Sequence, residues 1–128
     1  MPYRITVMMK KLDSITEEDF HEYWSKTHSS VFLTVPTAQK LLLKYSQYHI
    51  SRPLTTALRT SAQAPALNSE FDGAAEFWVN ELEDFTAIFV DEVYVRDVVP
   101  DEERFMKRDE TWMFVGREEE KFEGKKTE

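Results

Sequence analysis

The sequence predicts an α+β fold: a four-stranded antiparallel sheet with helices on one of its faces. Four segments have the alternation or composition of strands, and the first and second pairs of these segments each enclose a segment with helical spacing of apolar residues. The resulting order, β-α-β, a long connection and β-α-β, is a split βαβ pattern. One face of such a sheet stays uncovered. A second copy of the chain is the simplest cover, so we expect a homodimer.

The predicted strands are short segments rich in β-branched and aromatic residues. In the first strand, Tyr3, Ile5, Val7 and Met9 fall on one face, and the residues between them fall on the other. The other three predicted strands are residues 41–50, 74–80 and 111–118.

The main predicted helix begins after Thr16, a residue type that favours the N-cap position, and continues to about Phe32. Its apolar stripe consists of Phe20, Tyr23, Trp24, Thr27 and Val31. Pro36 is expected to end this region, because proline interrupts a helix.

A second helix is predicted over residues 82–90, with Leu82, Phe85 and Phe89 facing inward, and a short acidic helix begins at Pro100. Residues 51–72 contain two prolines and no firm period, so a long loop is predicted there. Residues 55–64 also suit a short helix.

Composition indicates one domain over residues 1–118, followed by a charged tail at 119–128. The net charge of −8 disfavours nucleic acid as a partner, since phosphate backbones are anionic. The chain has no cysteine, which excludes disulfides and thiolate chemistry. No apolar run suits a signal peptide or a membrane span, so we expect a cytoplasmic protein without a membrane partner.

The histidines are the candidate proton carriers, because imidazole titrates near neutrality. His28 follows Trp24 by one helical turn, and His49 shares a strand face with Tyr45 and Gln47. We predict that His28 and His49 are catalytic. The alternative for each is a structural histidine at the edge of the core. His21 is predicted to be a solvated helix residue.

Two carboxylates are the other candidates for chemistry. Asp72 opens the third strand, where an Asp-Gly turn is the structural alternative. Glu76 lies inside that strand on the face of Trp78, and it needs a partner unless it is exposed.

Metal and cofactor motifs are missing from the sequence. The seven-residue separation of His21 and His28 is too long for one ion, and no HxxxH spacing occurs. The chain has only three glycines and no phosphate-binding loop. We therefore expect no metal and no cofactor.

Five segments carry a resemblance to a known family. They are FHEYWSKTH (20–28), KYSQYH (44–49), FDGAAEFWV (71–79), ELEDF (81–85) and VVPDEERFM (98–106). In this order the sequence resembles the EthD family. The pairing of Trp24 with His28 and the QYH strand end are most similar to a fungal branch of polyketide pathways, whose members are described as decarboxylases of acids such as atrochrysone carboxylic acid.

The resemblance implies a ferredoxin-like dimeric α/β-barrel with a cofactor-free pocket between the sheet and the helices. The resemblance does not fix the activity. We predict decarboxylation of an aromatic polyketide acid, in which His28 or His49 provides either the donor to the enolate oxygen or the proton for carbon. Asp72 would fix an imidazole tautomer or raise the imidazole pKa. Trp24, Tyr45 and Trp78 would form the walls for an aromatic substrate; Gln47 and Glu76 complete the predicted binding residues.

Related activities stay open at this stage. A polyketide cyclase, dehydratase or isomerase would use the same residues, and a non-catalytic polyketide-binding module would need none of them for chemistry. Residues 52–69 match no motif of the family and are predicted to cap the pocket.

Overall fold

Four strands form one antiparallel sheet in the computed structural model, which describes residues 1–62 and 70–126. The strand order is β2-β3-β1-β4. The strands are β1 (Tyr3–Met9), β2 (Lys44–His49), β3 (Gly73–Val79) and β4 (Trp112–Gly116). The two central strands, β1 and β3, pair with Ile5 opposite Phe77. The predicted four-stranded antiparallel sheet is confirmed.

Six α-helices, two π-helical segments and one 3₁₀ turn connect the strands in the described part of the chain. The α-helices are α1 (Glu17–Glu22), α2 (Ser29–Phe32), α3 (Pro36–Leu41), α4 (Arg52–Ala62), α5 (Leu82–Phe89) and α6 (Val99–Glu102). The π-helical segments are Tyr23–His28 and Tyr94–Val98, and a 3₁₀ turn covers Arg108–Glu110. The first π-helical segment joins α1 to α2 without a break, so the predicted helix is present over its full length.

Side chains at the helix ends explain where α1 and α5 begin. The Thr16 hydroxyl accepts the backbone N–H of Asp19 at 3.0 Å, as its N-cap position predicts. At the start of α5, Glu81 and Asp84 satisfy each other's backbone N–H groups in a capping box.

Both π-helical segments widen the helix by one residue per turn. The N–H of Ser29 donates to the carbonyl of Trp24, five residues back, and the N–H of Val99 donates to that of Tyr94. Such segments frequently occur at functional sites. Here they rotate the residues that follow about the helix axis, compared with a regular α-helix. His28, which was predicted at the edge of the apolar stripe, is only 6% exposed.

Two expectations about the secondary structure are wrong in detail. Pro36 begins α3 instead of ending a helical region. Proline is tolerated there because a first-turn N–H, which proline lacks, has no partner within the helix. Residues 52–62 of the predicted loop are α4, whose first turn is supported by the Ser51 hydroxyl, which accepts the N–H of Leu54 at 3.2 Å. The remaining loop residues, 63–69, lie outside the described residues.

Two of the three residues predicted to face inward from α5, Phe85 and Phe89, pack against the core, and the third does not. Leu82 is exposed, whereas Ile88 is fully buried. At 100° per residue these two side chains lie about 120° apart, so the buried stripe lies on the Ile88 side of the helix.

The two faces of the sheet have different environments. The face with Ile5, Val7 and Phe77 packs against helices, and Phe77 contacts Phe32 and Phe85. The opposite face carries three large side chains that are more than half exposed, namely Tyr48, Trp112 and Phe114. The helices of the described residues therefore leave an aromatic surface of the sheet uncovered.

Candidate functional site

A cavity lies between the helices and the covered face of the sheet. It contains about 680 Å³ of empty space, counting the part that is open to solvent. Six aromatic side chains form most of its apolar wall: Trp24, Phe32, Tyr45, Phe77, Phe89 and Tyr94. A concave, mainly aromatic site with few polar groups is typical of binding sites for small aromatic ligands.

Trp24 reaches the cavity because β3 begins with glycine. Its indole lies directly over Gly73, where a Cβ atom would come within 2.5 Å of the ring carbon Cζ3. Any larger residue at position 73 would push the indole away.

The main polar group of the cavity is a buried histidine–carboxylate pair. His28 is 6% exposed and lines the cavity, and its Nδ1 lies 2.7 Å from Oδ2 of Asp101. Since a carboxylate can only accept, Nδ1 carries the hydrogen, and the other nitrogen, Nε2, remains available to a molecule in the cavity. The Tyr23 hydroxyl donates to the second oxygen of Asp101.

A second polar group in the cavity is the Tyr45 hydroxyl. Its oxygen accepts a hydrogen bond from Nε2 of Gln47 at 3.0 Å, and no other described residue accepts its proton. Burial raises the pKa of Tyr45, so the phenol stays protonated. Tyr45 therefore offers a neutral O–H donor to a ligand oxygen.

Gln47 and His49 lie behind Tyr45, and they connect it to His21. Oε1 of Gln47 is 2.9 Å from Nε2 of His49, and Nδ1 of His49 is 2.7 Å from Nδ1 of His21. The predicted solvated position of His21 is thus wrong, because its side chain is only about one-fifth exposed and both ring nitrogens have partners.

The third polar group of the cavity is the set Tyr94, Glu102 and Arg108. The hydroxyl of Tyr94 donates to Oε2 of Glu102 at 2.5 Å, and Nε of Arg108 donates to Oε1 of Glu102 at 2.8 Å. Burial and the negative charge of Glu102 raise the pKa of Tyr94, so this phenol is also neutral. A hydrogen bond from Arg108 to Tyr94 opposes part of this rise in pKa, and the Arg108 side chain is 43% exposed.

The predicted carboxylate Asp72 lies away from the cavity. It is fully buried at the start of β3, where it accepts from Nε of Arg52 at 2.7 Å and from the N–H of Lys11 at 2.9 Å. It thereby ties α4 to the end of β1. The carboxylate that contacts His28 belongs to Asp101, and a catalytic role for Asp72 stays a prediction that no described contact supports.

Glu76 and Trp78 lie on the uncovered face of the sheet, opposite the cavity. Glu76 accepts from Nε of Arg4 at 2.5 Å, so the buried glutamate has the partner that its strand position requires. The Trp78 ring lies between two cations, with Lys44 Nζ 4.6 Å and Arg4 Cζ 5.6 Å from its centroid. A substrate could contact Glu76 and Trp78 only from the uncovered face of the sheet, not from within the cavity.

Of the predicted site residues, the cavity is lined by Trp24, His28 and Tyr45, and Gln47 and His49 support it from behind. Sequence reasoning missed Asp101, Glu102, Arg108 and Tyr94. One signal for Asp101 was present: it shares a helix face with Val98 and Phe105, both buried, and an acid on an apolar face needs a partner.

Within residues 1–62 and 70–126, no group of three or more His, Cys, Asp or Glu side chains is placed to hold a metal ion. Over the same residues, none of the helices combines the length and the apolar character needed to cross a bilayer.

The strand order and the one-sided helical layer define a ferredoxin-like α+β protein, and solved structures share this architecture. An EthD family protein from Bacillus halodurans is 14% identical, with a TM-score of 0.62 over 93% of this chain and 100% of that one. HapK from Hahella chejuensis is 10% identical, with a TM-score of 0.60 over 96% and 98%. A dimeric, ferredoxin-like protein of unknown function from Bacteroides fragilis is 10% identical, with a TM-score of 0.60 over 90% and 94%.

A family model identifies the chain more narrowly. The model of the EthD domain matches residues 12–109, and the chain belongs to the EthD domain family. A search of curated proteins found no match. The predicted ferredoxin-like fold and the predicted family are therefore confirmed.

Proposed function

We propose that the protein is a cofactor-independent decarboxylase, a lyase, that acts on an aromatic polyketide carboxylic acid in secondary-metabolite biosynthesis. The observation that carries the proposal is the His28–Asp101 pair, an acid–base group buried beside an aromatic cavity. The aromatic wall suits a flat polycyclic substrate, which stacks and makes edge contacts with such rings.

Decarboxylation of a β-keto acid needs two things from the protein. When the bond between the α carbon and the carboxylate breaks, its electron pair moves to the ketone oxygen, which becomes an enolate, and carbon dioxide leaves. The Tyr45 O–H is the donor that stabilises this developing charge. A proton must then reach the α carbon to give the ketone.

His28 is the group that supplies this proton. Asp101 fixes the ring with Nδ1–H toward its carboxylate and stabilises the imidazolium form, so that Nε2–H can protonate the carbon. Solvent returns a proton to Nε2 afterwards. Overall, one carboxylate and one proton become one ketone and one carbon dioxide.

Arg108 supports an acid as the substrate. Its guanidinium borders the cavity, and Glu102 holds only Nε among the described contacts. Its guanidinium is a planar fork of N–H donors that suits a carboxylate.

We further propose a homodimer that covers the exposed aromatic face of the sheet. Tyr48, Trp112 and Phe114 make this face more apolar than a free surface normally is. Relatives of similar fold from Bacteroides fragilis and Thermobifida fusca are described as dimeric.

We also propose a cytoplasmic location, which the cysteine-free sequence suits.

The function is tested by incubating the purified protein with a panel of aromatic polyketide acids and comparing the products by mass spectrometry with a reaction without enzyme. Catalysed loss of carbon dioxide supports the proposal. Loss of water, or a rearranged product of unchanged mass, contradicts it in favour of a dehydratase or a cyclase. Tight binding of an acid without any change contradicts it in favour of a binding module.

A further inference from the structure

Two imidazoles outside the cavity form a hydrogen-bonded chain with fixed partners at both ends. Nδ1 of His21 lies 2.7 Å from Nδ1 of His49. At the outer end, Nε2 of His21 is 3.1 Å from the carbonyl oxygen of Ile50. At the inner end, Nε2 of His49 is 2.9 Å from Oε1 of Gln47. The two rings therefore take part in three hydrogen bonds, each of which requires one hydrogen.

The partners determine where these hydrogens lie. Nε2 of Gln47 is 3.0 Å from the Trp24 carbonyl, which can only accept, so the amide oxygen is the atom that meets His49. His49 must therefore donate from Nε2. The Ile50 carbonyl likewise requires a hydrogen on Nε2 of His21.

The contact between the two Nδ1 atoms requires a third hydrogen. Two neutral imidazoles have only two N–H hydrogens in total, so three hydrogens give the pair one positive charge. We propose that His21 and His49 form a singly protonated pair that holds the Gln47 amide in one orientation and thereby aims the Tyr45 hydroxyl into the cavity. The role of Tyr45 in this inference rests on the proposed function.

Groups from each neighbouring element agree with a charge at this place. On the same helix, Oε2 of Glu17 lies 3.6 Å from Nε2 of His21. Glu18 and both histidines border one surface groove. From α4, Arg52 donates its backbone N–H to Glu17 at 3.0 Å. The Arg52 guanidinium is engaged by the buried Asp72, which offsets its charge.

Within the proposed pair, His21 is the ring that lies beside the Glu17 carboxylate, so the extra proton is placed on it. Burial lowers the pKa of His49, and the positive charge on His21 lowers it further. His49 is therefore the neutral ring, with its hydrogen on Nε2, and it accepts from His21 at Nδ1.

The link to the cavity passes through Gln47. With its oxygen held by His49, its two amide hydrogens go to the Trp24 carbonyl and to the Tyr45 oxygen. The Tyr45 oxygen then acts as an acceptor on that side, and its own hydrogen is left for the cavity. When the pair loses its proton at higher pH, two hydrogens remain for three bonds, so one bond must break.

The charge of the pair is tested by NMR on protein with ¹⁵N-labelled histidine, from about pH 5 to about pH 9. The chain has three histidines, so single substitutions assign them. We expect a pH range in which His21 shows the imidazolium signature at both nitrogens while His49 is the neutral Nε2–H tautomer. Absence of such a range overturns the proposal. His28→Gln is the matched control and should leave both signals unchanged.

The link to Tyr45 is tested on the same protein with ¹³Cζ-labelled tyrosine. We expect the Tyr45 signal to follow the titration of the histidine pair in the unmodified chain and to stop following it in Gln47→Leu. A Tyr45 signal that ignores the pair overturns the positioning role. Both measurements are independent of turnover. If they succeed while no panel acid loses carbon dioxide, the proposed function fails and the histidine pair stands.

Kinetics separate positioning from simple support of the fold. The carboxylate introduced by Gln47→Glu still accepts from His49 but cannot donate to Tyr45, which should then donate to it instead. We expect kcat to fall about as far as in Tyr45→Phe, with little change in KM, and the double variant to be no worse than either single one. Additive effects of the two substitutions would overturn the coupling.

Discussion

Nδ1 of His28 and Oδ2 of Asp101 lie 2.7 Å apart although 73 positions separate them in the chain. The first π-helical segment ends at His28, and the second is followed directly by α6, which carries Asp101. Both members of the pair are thus positioned by irregular helical turns, and both are buried next to the aromatic cavity.

The His28–Asp101 pair should control turnover more than folding. We expect His28→Ala to abolish decarboxylation with little effect on folding, and Asp101→Asn to lower kcat by about 10²-fold or more, because the ring loses its fixed tautomer and the stabilisation of its cation. Steady-state kinetics measure the change, and circular dichroism confirms the fold. Asp97→Asn, an exposed carboxylate on the same helical region, is the matched control. Turnover like that of the unmodified protein in His28→Ala would remove His28 from the mechanism.

The Tyr45 hydroxyl should contribute to the chemical step. Tyr45→Phe removes one O–H and preserves the ring, and we expect kcat to fall by about 10²-fold with a small change in KM, as when one donor to a developing oxyanion is lost. Tyr48→Phe is the control, because Tyr48 lies on the same strand but is 60% exposed. Equal kinetics in the two variants would contradict the assignment.

Arg108 should recognise the acid group of the substrate. We expect Arg108→Gln to raise KM for a carboxylic acid about tenfold, since a charge-assisted hydrogen bond contributes about 1.5–3 kcal/mol. Binding of the matching methyl ester, measured by calorimetry, should be unchanged. Arg96→Gln, which alters an exposed arginine, controls for net charge. The same loss of affinity for acid and ester would show that Arg108 does not bind the carboxylate.

Asp72 should stabilise the fold. Burial raises its pKa, but the Arg52 guanidinium and the Lys11 N–H outweigh burial and hold the pKa below its usual value. Asp72→Asn should cost about 3 kcal/mol of the free energy of unfolding at neutral pH, measured in urea, because it leaves Arg52 without its buried partner. Asp13→Asn is the control: its side chain is 91% exposed, so this substitution should leave the stability nearly unchanged.

The same carboxylate makes stability depend on pH. A group whose pKa is lower in the folded state binds protons more readily when the chain is unfolded. Its contribution is therefore complete above the unfolded pKa, about 3.9, and is lost as the pH falls through the folded value. The difference between the unmodified protein and Asp72→Asn should be constant near neutrality and shrink below about pH 4. If the difference in the free energy of unfolding stayed constant down to the lowest pH, Asp72 would not be ionised in the folded protein.

The exposed sheet face should mediate dimer formation. Phe114→Lys places a charge within the exposed aromatic surface, so we expect a monomer by analytical ultracentrifugation where the unmodified chain is a dimer. Phe122→Lys is the control, since Phe122 is 86% exposed in the C-terminal tail and lies outside the sheet. A dimer that survives Phe114→Lys would place the interface elsewhere.

Local patterns determined most of the architecture. The alternation at Tyr3, Ile5, Val7 and Met9 predicted β1, and the N-cap residue Thr16 predicted the start of the first helix, because these signals depend only on near neighbours. The motifs around His28 and Tyr45 likewise led to the family and to two residues of the cavity.

Tertiary structure alone decided the partners. The carboxylate beside His28 belongs to Asp101 and not to the predicted Asp72, and His21 of α1 contacts His49 of β2. These contacts depend on how the helices pack on the sheet. The π-helical turns that bury His28 have no 3.6-residue signature in the sequence. Residue types therefore predicted the kinds of groups at the site, whereas packing decided which of them share a proton.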